Sequence, residues 1–282
     1  MMTGKTANLG VIGHPIAHSL SPAMQNAGIK AAGLDYAYIA MPVQPEKLSC
    51  AVEGLRSLGF CGFNVTIPHK QAVMAYLDEI QADARLIGAV NTVAIKDGKL
   101  IGYNTDMTGF IQAMKDRGFQ PAGKNALLLG AGGAARAIIC GLLKEGVKSL
   151  TIAVRNVVKA QNVAGCFADA MDIEVLDWHS QEFKAALART QLLINSTPLG
   201  MAPKVDAMPP VDWTLVSEDA FVYDIIYTPA ETLFLRTARE HGCNVLNGEA
   251  MLVGQGREAF RIWTGKELPK EPMAEALRSC LR

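Results

Sequence analysis

The chain has no surplus of charge of either sign: 27 Lys and Arg balance 27 Asp and Glu across 282 residues. Neutrality removes any global pull toward nucleic acid or an anionic membrane, so a bound anion must be recognised locally. No run of 18 apolar residues occurs, and Met1 to Asn8 holds no apolar stretch ahead of a cleavage site, so neither a spanning helix nor a leader is expected. None of the six cysteines (Cys50, Cys61, Cys140, Cys166, Cys243, Cys280) forms a C-x-x-C pair, and several lie in apolar stretches as buried free thiols do. The expectation is a soluble protein of a reducing compartment, the cytoplasm. None of His14, His18, His69, His179 and His241 falls in H-E-x-x-H or another metal spacing, and no G-x-S-x-G elbow exists. Metal-dependent and serine-hydrolase chemistry are therefore not expected.

What is present is a core-forming chain, half hydrophobic and 19% charged. Strand-like and helix-like runs alternate nearly throughout, which predicts parallel α/β architecture. Leu9 to Ile12, Tyr36 to Met41 and Gly62 to Ile67 read as the first strands, with helices over Pro22 to Ala32 and Pro45 to Leu58 between them. Val90 to Ile95 and Leu100 to Tyr103 flank Asp97-Gly98, a hairpin signal. A second series begins with Ala126 to Leu129 and a helix to about Glu145. It continues with strands at Leu150 to Val154, Ile173 to Leu176, Leu192 to Asn195, Phe221 to Ile226 and Asn244 to Leu246. Helices over Gly254 to Trp263 and Met273 to Leu281 close the chain. Two domains are expected, one formed by residues 1–107 with the returning 250–282, the other by 108–249.

Asn64 to Lys70 reads Asn-Val-Thr-Ile-Pro-His-Lys, an apolar alternation that Pro68 breaks by removing a backbone donor. Lys70 then stands where open α/β sheets place ligand crevices, and can serve as acid, base or anion clamp. His18-Ser19-Leu20-Ser21-Pro22 offers two hydroxyls before a Pro-initiated helix. They suit a small carboxylate, although Ser21 could equally cap that helix; the two roles are compatible. Asn91 and Asp106 sit at further strand ends. Hydroxyls, amides, one lysine and one acid together suit a small polyhydroxylated carboxylate.

Gly130-Ala131-Gly132-Gly133-Ala134-Ala135 follows a strand and opens a helix. Gly130 permits the tight turn, Gly132 lets backbone approach a pyrophosphate, and Ala135 allows close helix–strand contact. This context favours dinucleotide binding over a merely tight turn. The next strand ends in Val154-Arg155-Asn156, followed by Lys159, with no acid until Asp169. An NAD site would hold Asp or Glu there; Arg155 can instead meet a 2′-phosphate, which favours NADP(H), or it is an ordinary solvated arginine.

Taken together, these segments resemble the shikimate dehydrogenases, including the related quinate/shikimate dehydrogenases. The resemblance rests on Gly13-His14-Pro15, Ser19 to Pro22, Asn64 to Lys70, Gly88 to Thr92, Asn104-Thr105-Asp106, Gly130 to Ala135, Asn195 to Gly200, Asp224 to Pro229 and Asn247 to Gln255. It implies an N-terminal α/β substrate domain and a Rossmann-type cofactor domain separated by a cleft. It implies reversible reduction of 3-dehydroshikimate to shikimate with NADPH, a step of aromatic amino-acid biosynthesis by way of chorismate. Lys70 and Asp106 would be the catalytic pair, Ser19 and Ser21 would hold the carboxylate, and Thr66, Asn91, Tyr227 and Gln255 would contact ring hydroxyls or the reacting centre. Cofactor contacts would fall on Gly130, Ala131, Gly132, Gly133, Ala134, Arg155, Asn156, Lys159, Ser196, Thr197, Ile225 and Gly248. The family's NADP users show Asn-Arg-Thr where this chain has Val154-Arg155-Asn156, which implies a looser preference with NAD possible. Quinate dehydrogenase activity with either cofactor, and a non-catalytic sensor of shikimate or NADPH, are the competing readings. Either a monomer or a homodimer is compatible with the chain.

Overall fold

The computed structural model describes residues 2–281. The chain divides into two compact units: one runs from the N-terminus to Gly109 and resumes at Leu252, and the other spans Phe110–Met251. Both crossings fall inside helices, the first within α4 (Asp106–Lys115) and the return within α9 (Glu249–Thr264).

The first unit is built on β1 (Ala7–Gly13), β2 (Tyr36–Pro42), β3 (Gly62–Val65), β4 (Glu79–Ile80), β5 (Thr92–Lys96) and β6 (Lys99–Tyr103), in the order β2-β1-β3-β5-β6-β4. The first three strands are parallel, and β5 pairs antiparallel with both β3 and its hairpin partner β6. That hairpin turns at Asp97 and Gly98, both with positive φ, the backbone a two-residue type I′ turn requires. Both faces of the sheet are covered. Leu9 and Val11 of β1 enter one core with Met24, Ile29, Phe260 and Leu277, while Ile12 enters the other with Val52, Leu55, Phe63 and Val73. Burial on both faces is why this strand reads as a continuous apolar run rather than an alternation. Helices α1 (Ser21–Ala31) and α2 (Leu48–Ser57) supply these layers, joined by the closing α9 and α10 (Lys270–Cys280).

The second unit contains β7 (Asn125–Leu129), β8 (Ser149–Val154), β9 (Glu174–Asp177), β10 (Leu192–Asn195), β11 (Phe221–Asp224) and β12 (Asn244–Leu246), all parallel, in the order β12-β11-β10-β7-β8-β9. Counted within the unit this is the doubly wound dinucleotide-fold order, which reverses direction between β7 and β10 and opens a crevice at their carboxyl ends. Helices α5 (Ala135–Lys144), α6 (Val157–Gly165), α7 (Gln181–Arg189) and α8 (Leu233–Glu240) supply the crossovers. Phe183, Leu187, Phe234 and Leu235 pack on Leu127, Leu129, Leu193 and Val222.

Several expectations need correction. The strand expected over Gly62 to Ile67 ends at Val65, because Thr66 N–H makes the last bond to Ile12 O (3.0 Å) and His69 N–H closes a turn onto Thr66 O (2.9 Å). Ile67, read as a strand residue, lies beyond the strand and is 73% exposed. Helix α9 starts at Glu249 rather than Gly254, led in by a bond from Glu249 N–H to Asn247 Oδ1. The two-residue β4 and the six-residue α3 (Ala82–Ile87) are too short to leave a periodic signal.

Candidate active site

The segment after β3 is clamped by its backbone. Val65 N–H donates to Asn91 O and Val90 N–H donates to Lys70 O, each at 2.8 Å, so both ends of the turn are tied to residues 90 and 91. The buried His69 ring bonds Val43 O at 2.7 Å. Lys70 is thereby held on a fixed backbone, and its Nζ donates to Asp106 Oδ2 at 2.6 Å. The two side chains are 29% and 15% exposed, so the pair is shielded yet reachable by a small molecule. Asp106 opens α4, where the helix dipole favours a carboxylate.

The other carboxylate oxygen, Oδ1, accepts from Asn91 Nδ2 at 2.8 Å. Asn91 is in turn fixed, its own Oδ1 accepting from Thr105 N–H (2.8 Å) and the Thr92 hydroxyl (2.9 Å). Thr105 Oγ1 reaches Gln255 Oε1 at 3.5 Å, and Gln255 Nε2 donates to Leu252 O. A second branch runs from Thr92 through Asn64 Nδ2 (3.0 Å) to Tyr38, whose hydroxyl donates to Asn64 Oδ1 at 2.7 Å. Burial pushes the pKa of the Tyr38 phenol well up, and the Ser21 hydroxyl lowers it only in part. Because a buried polar group without a partner is costly, a network satisfied at each of these links has one low-energy arrangement.

Lys70, Asp106, Asn91 and Gln255 thus share one network, which extends through Thr92 and Asn64 to Tyr38. Ser19 Oγ accepts from Ser21 N–H at 3.4 Å. Ser21 does not take the capping position: Leu20 does, and Ser21 is the first helical residue. Thr66 begins the Lys70 turn. Tyr227 belongs to the second unit, between β11 and α8, half-buried and with its phenol pKa raised by burial. The sequence reading missed Tyr38 and Thr92. Tyr38 carried a usable signal, since a tyrosine inside a buried strand must find a partner for its hydroxyl.

In the second unit Gly130 has φ +102, and a Cβ there would meet Thr197 Cγ2 at 2.9 Å and Ser196 Oγ at 3.0 Å. The turn is pinned by Ser196, whose hydroxyl donates to Leu129 O (3.0 Å), while the Thr197 hydroxyl donates to Asn195 Oδ1 (2.7 Å). Gly130, Ala131, Gly132, Arg155, Asn156, Lys159, Ser196 and Thr197 line one cavity of about 260 Å³, with Val154, Trp178, Pro198 and Leu199 completing its wall. Gly133 and Ala134 lead into α5, and nothing lies within 4 Å of where a Cβ on Gly133 would stand. A glycine turn, an open helix N-terminus and cationic side chains at the end of β8 fit the pyrophosphate and 2′-phosphate of NADP. Asn156 has a structural task as well, its Oδ1 accepting from Lys159 N–H to cap α6. Ile225 and Gly248 meet elsewhere: a Cβ on Gly248 would lie 2.0 Å from Ile225 O, so close packing alone demands glycine there.

Asp224, at the end of β11, is fully buried and accepts from Asn195 Nδ2 (3.1 Å), the Thr232 hydroxyl (2.7 Å) and Ile226 N–H (3.1 Å). Burial outweighs these bonds and pushes its pKa up to about 6.

Residues 11–93 match the family model for the shikimate dehydrogenase substrate binding domain. Residues 113–201 match shikimate / quinate 5-dehydrogenase, and 248–278 match the shikimate 5′-dehydrogenase C-terminal domain. Shikimate dehydrogenase (NADP(+)) of Symbiobacterium thermophilum is 48% identical over 276 residues, covering 97% of this chain and 94% of its own. The chain belongs to the shikimate dehydrogenase family. Among solved structures, a shikimate dehydrogenase in complex with NADP+ is similar over 100% of this chain and 98% of its own, with 42% identity and a TM-score of 0.91. The ligand-free 5-ketofructose reductase of Gluconobacter sp. strain CHM43 is similar over 99% and 100%, with 39% identity and a TM-score of 0.93. The family fold, a substrate domain followed by a Rossmann domain, matches the two sheets described above.

Proposed function

We propose that this chain catalyses the reversible reduction of 3-dehydroshikimate to shikimate with NADPH, the dehydrogenase step on the route to chorismate and the aromatic amino acids. The reading rests on the Lys70–Asp106 pair at 2.6 Å, held from behind by Asn91 and reachable from solvent. NADPH, when bound, supplies the hydride. Lys70 as an ammonium polarises the C3 carbonyl and gives its proton to the developing alkoxide; in the oxidative direction it takes that proton back. Asp106 balances the ammonium charge and fixes its direction. Ser19 and Ser21 hold the substrate carboxylate, while Thr66, Asn91, Tyr227 and Gln255 contact ring hydroxyls or the reacting centre. The cofactor lies against Gly130 to Ala134, Arg155, Asn156, Lys159, Ser196, Thr197, Ile225 and Gly248, with Ser196 and Thr197 on the nicotinamide side. Residues 1–107 with 250–282 act as the substrate domain and 108–249 as the cofactor domain. Among the described residues all six cysteines are free thiols and no helix is long and apolar enough to cross a membrane, and the thiols suit a reducing cytoplasm.

General acid–base assistance contributes about 10²–10⁴ in rate, roughly 3–5 kcal/mol. Lys70→Ala should therefore lower kcat by about that factor while NADP+ affinity stays unchanged. A variant with near wild-type kcat would remove Lys70 from the chemistry. Initial rates on shikimate and quinate with NADP+ and NAD+, and on 5-ketofructose with NADPH, test the substrate. The expected order has shikimate with NADP+ first; a faster rate on either other substrate refutes the assignment.

A further inference from the structure

Val154, the last residue of β8, offers no polar group, and Arg155 is an exposed side chain just beyond it. An arginine in that position recognises a phosphate well only if something limits the directions it can point. The side chain facing it across the cavity supplies that limit. Trp178 follows β9, its N–H donates to Val154 O at 3.2 Å, and its indole is only 6% exposed, packed in the same core as Leu129, Ala153 and Phe183. Its Nε1–H donates to His179 Nε2 at 3.1 Å, which fixes the ring's rotation. The Arg155 guanidinium carbon lies over this ring, 5.8 Å from its centroid, within the range of cation–π attraction.

We propose that Trp178 is a specificity-determining residue for the cofactor: its buried indole face holds the Arg155 guanidinium over the Gly130 cavity, so that arginine and Lys159 together meet the 2′-phosphate. Arg155, Lys159 and Trp178 line the same cavity as the glycine turn, so the pair stands where the adenosine end of the cofactor binds. The inference rests on the NADP reading above and adds the residue that sets its strength. Trp178 is a positioning residue, touching the phosphate only through Arg155.

The test uses 2′,5′-ADP and 5′-AMP, fragments that differ by the 2′-phosphate, titrated calorimetrically into the full chain. Trp178→Leu should weaken 2′,5′-ADP roughly two- to fivefold and leave 5′-AMP unchanged. In turnover it should raise KM for NADPH by the same factor without changing kcat or the KM for NADH. Unchanged 5′-AMP affinity also reports that the variant is folded. Should it not fold, wild type and Trp178→Phe carry the test. Saturating 2′,5′-ADP should shift tryptophan emission in wild type, and the shift should vanish in Trp178→Phe, where the phenyl face retains most of the affinity. Equal 2′,5′-ADP affinity in wild type and Trp178→Leu, or an emission shift that survives in Trp178→Phe, overturns the proposal. A wild type that binds both fragments equally would instead overturn the NADP reading itself.

Discussion

Asp106 has a hydrogen-bond donor on each carboxylate oxygen, Lys70 Nζ on one and Asn91 Nδ2 on the other. The lysine bond sets the charge pair; the asparagine bond sets its orientation, because Asn91 is itself held by Thr105 and Thr92. Removing Asn91 leaves one oxygen of a shielded carboxylate without its donor and frees the carboxylate to rotate. A lost hydrogen bond to a charged group costs about 1.5–3 kcal/mol. Asn91→Ala should therefore lower kcat by roughly 10–100-fold, and the loss should be smaller than that in Lys70→Ala. Steady-state kinetics of the two variants and their double mutant check this. Strictly additive losses would show that Asn91 acts independently of the pair.

At the scale of one element, the end of β11 carries a carboxylate at an unfavourable depth. Asp224 has a folded pKa of about 6 against an ordinary 3.8. The folded state therefore holds this proton more tightly than the unfolded chain does. The group's contribution is fully present below about pH 4 and is lost as pH rises through about 6; above that it is constant. The expected swing is on the order of 3 kcal/mol. Asp224→Asn keeps an acceptor for Asn195 and Ile226 but cannot ionise, so this slope should disappear. Urea unfolding of both proteins at pH 4.5 and 7 measures it. An identical pH dependence in the variant would show that Asp224 is not the titrating group.

The whole molecule consists of two units, each with its own six-stranded sheet and core. If the first handles substrate and the second cofactor, each ligand should leave its own footprint in amide exchange. Shikimate should slow exchange around residues 66–70 and 105–106, and NADP+ around 130–135 and 155–159. Protection by shikimate confined to the second unit would contradict that division of labour.

Local chemistry carried much of this in one dimension. The Gly130 turn, the Asp97-Gly98 hairpin and the alternation of strand and helix are legible because each depends on residues adjacent in the chain. The sequence also named Lys70, Asp106 and Asn91, through motif resemblance as much as through chemistry. It misjudged Ile67, since an apolar residue after a strand does not announce that the next turn points it outward. It offered Ser21 as a helix cap, a position the fold gives to Leu20. Only tertiary structure decided that residues 36 to 54 positions apart meet: Lys70 on Asp106, and Tyr38 linked through Asn64 to Thr92. Likewise the Arg155–Trp178 stack joins the ends of two parallel strands with a helix between them. Side-chain type fixes which bonds a group is able to make, whereas partner and direction come from the register of strands far apart in the chain, and those set the Lys70–Asp106 bond and the Arg155–Trp178 contact.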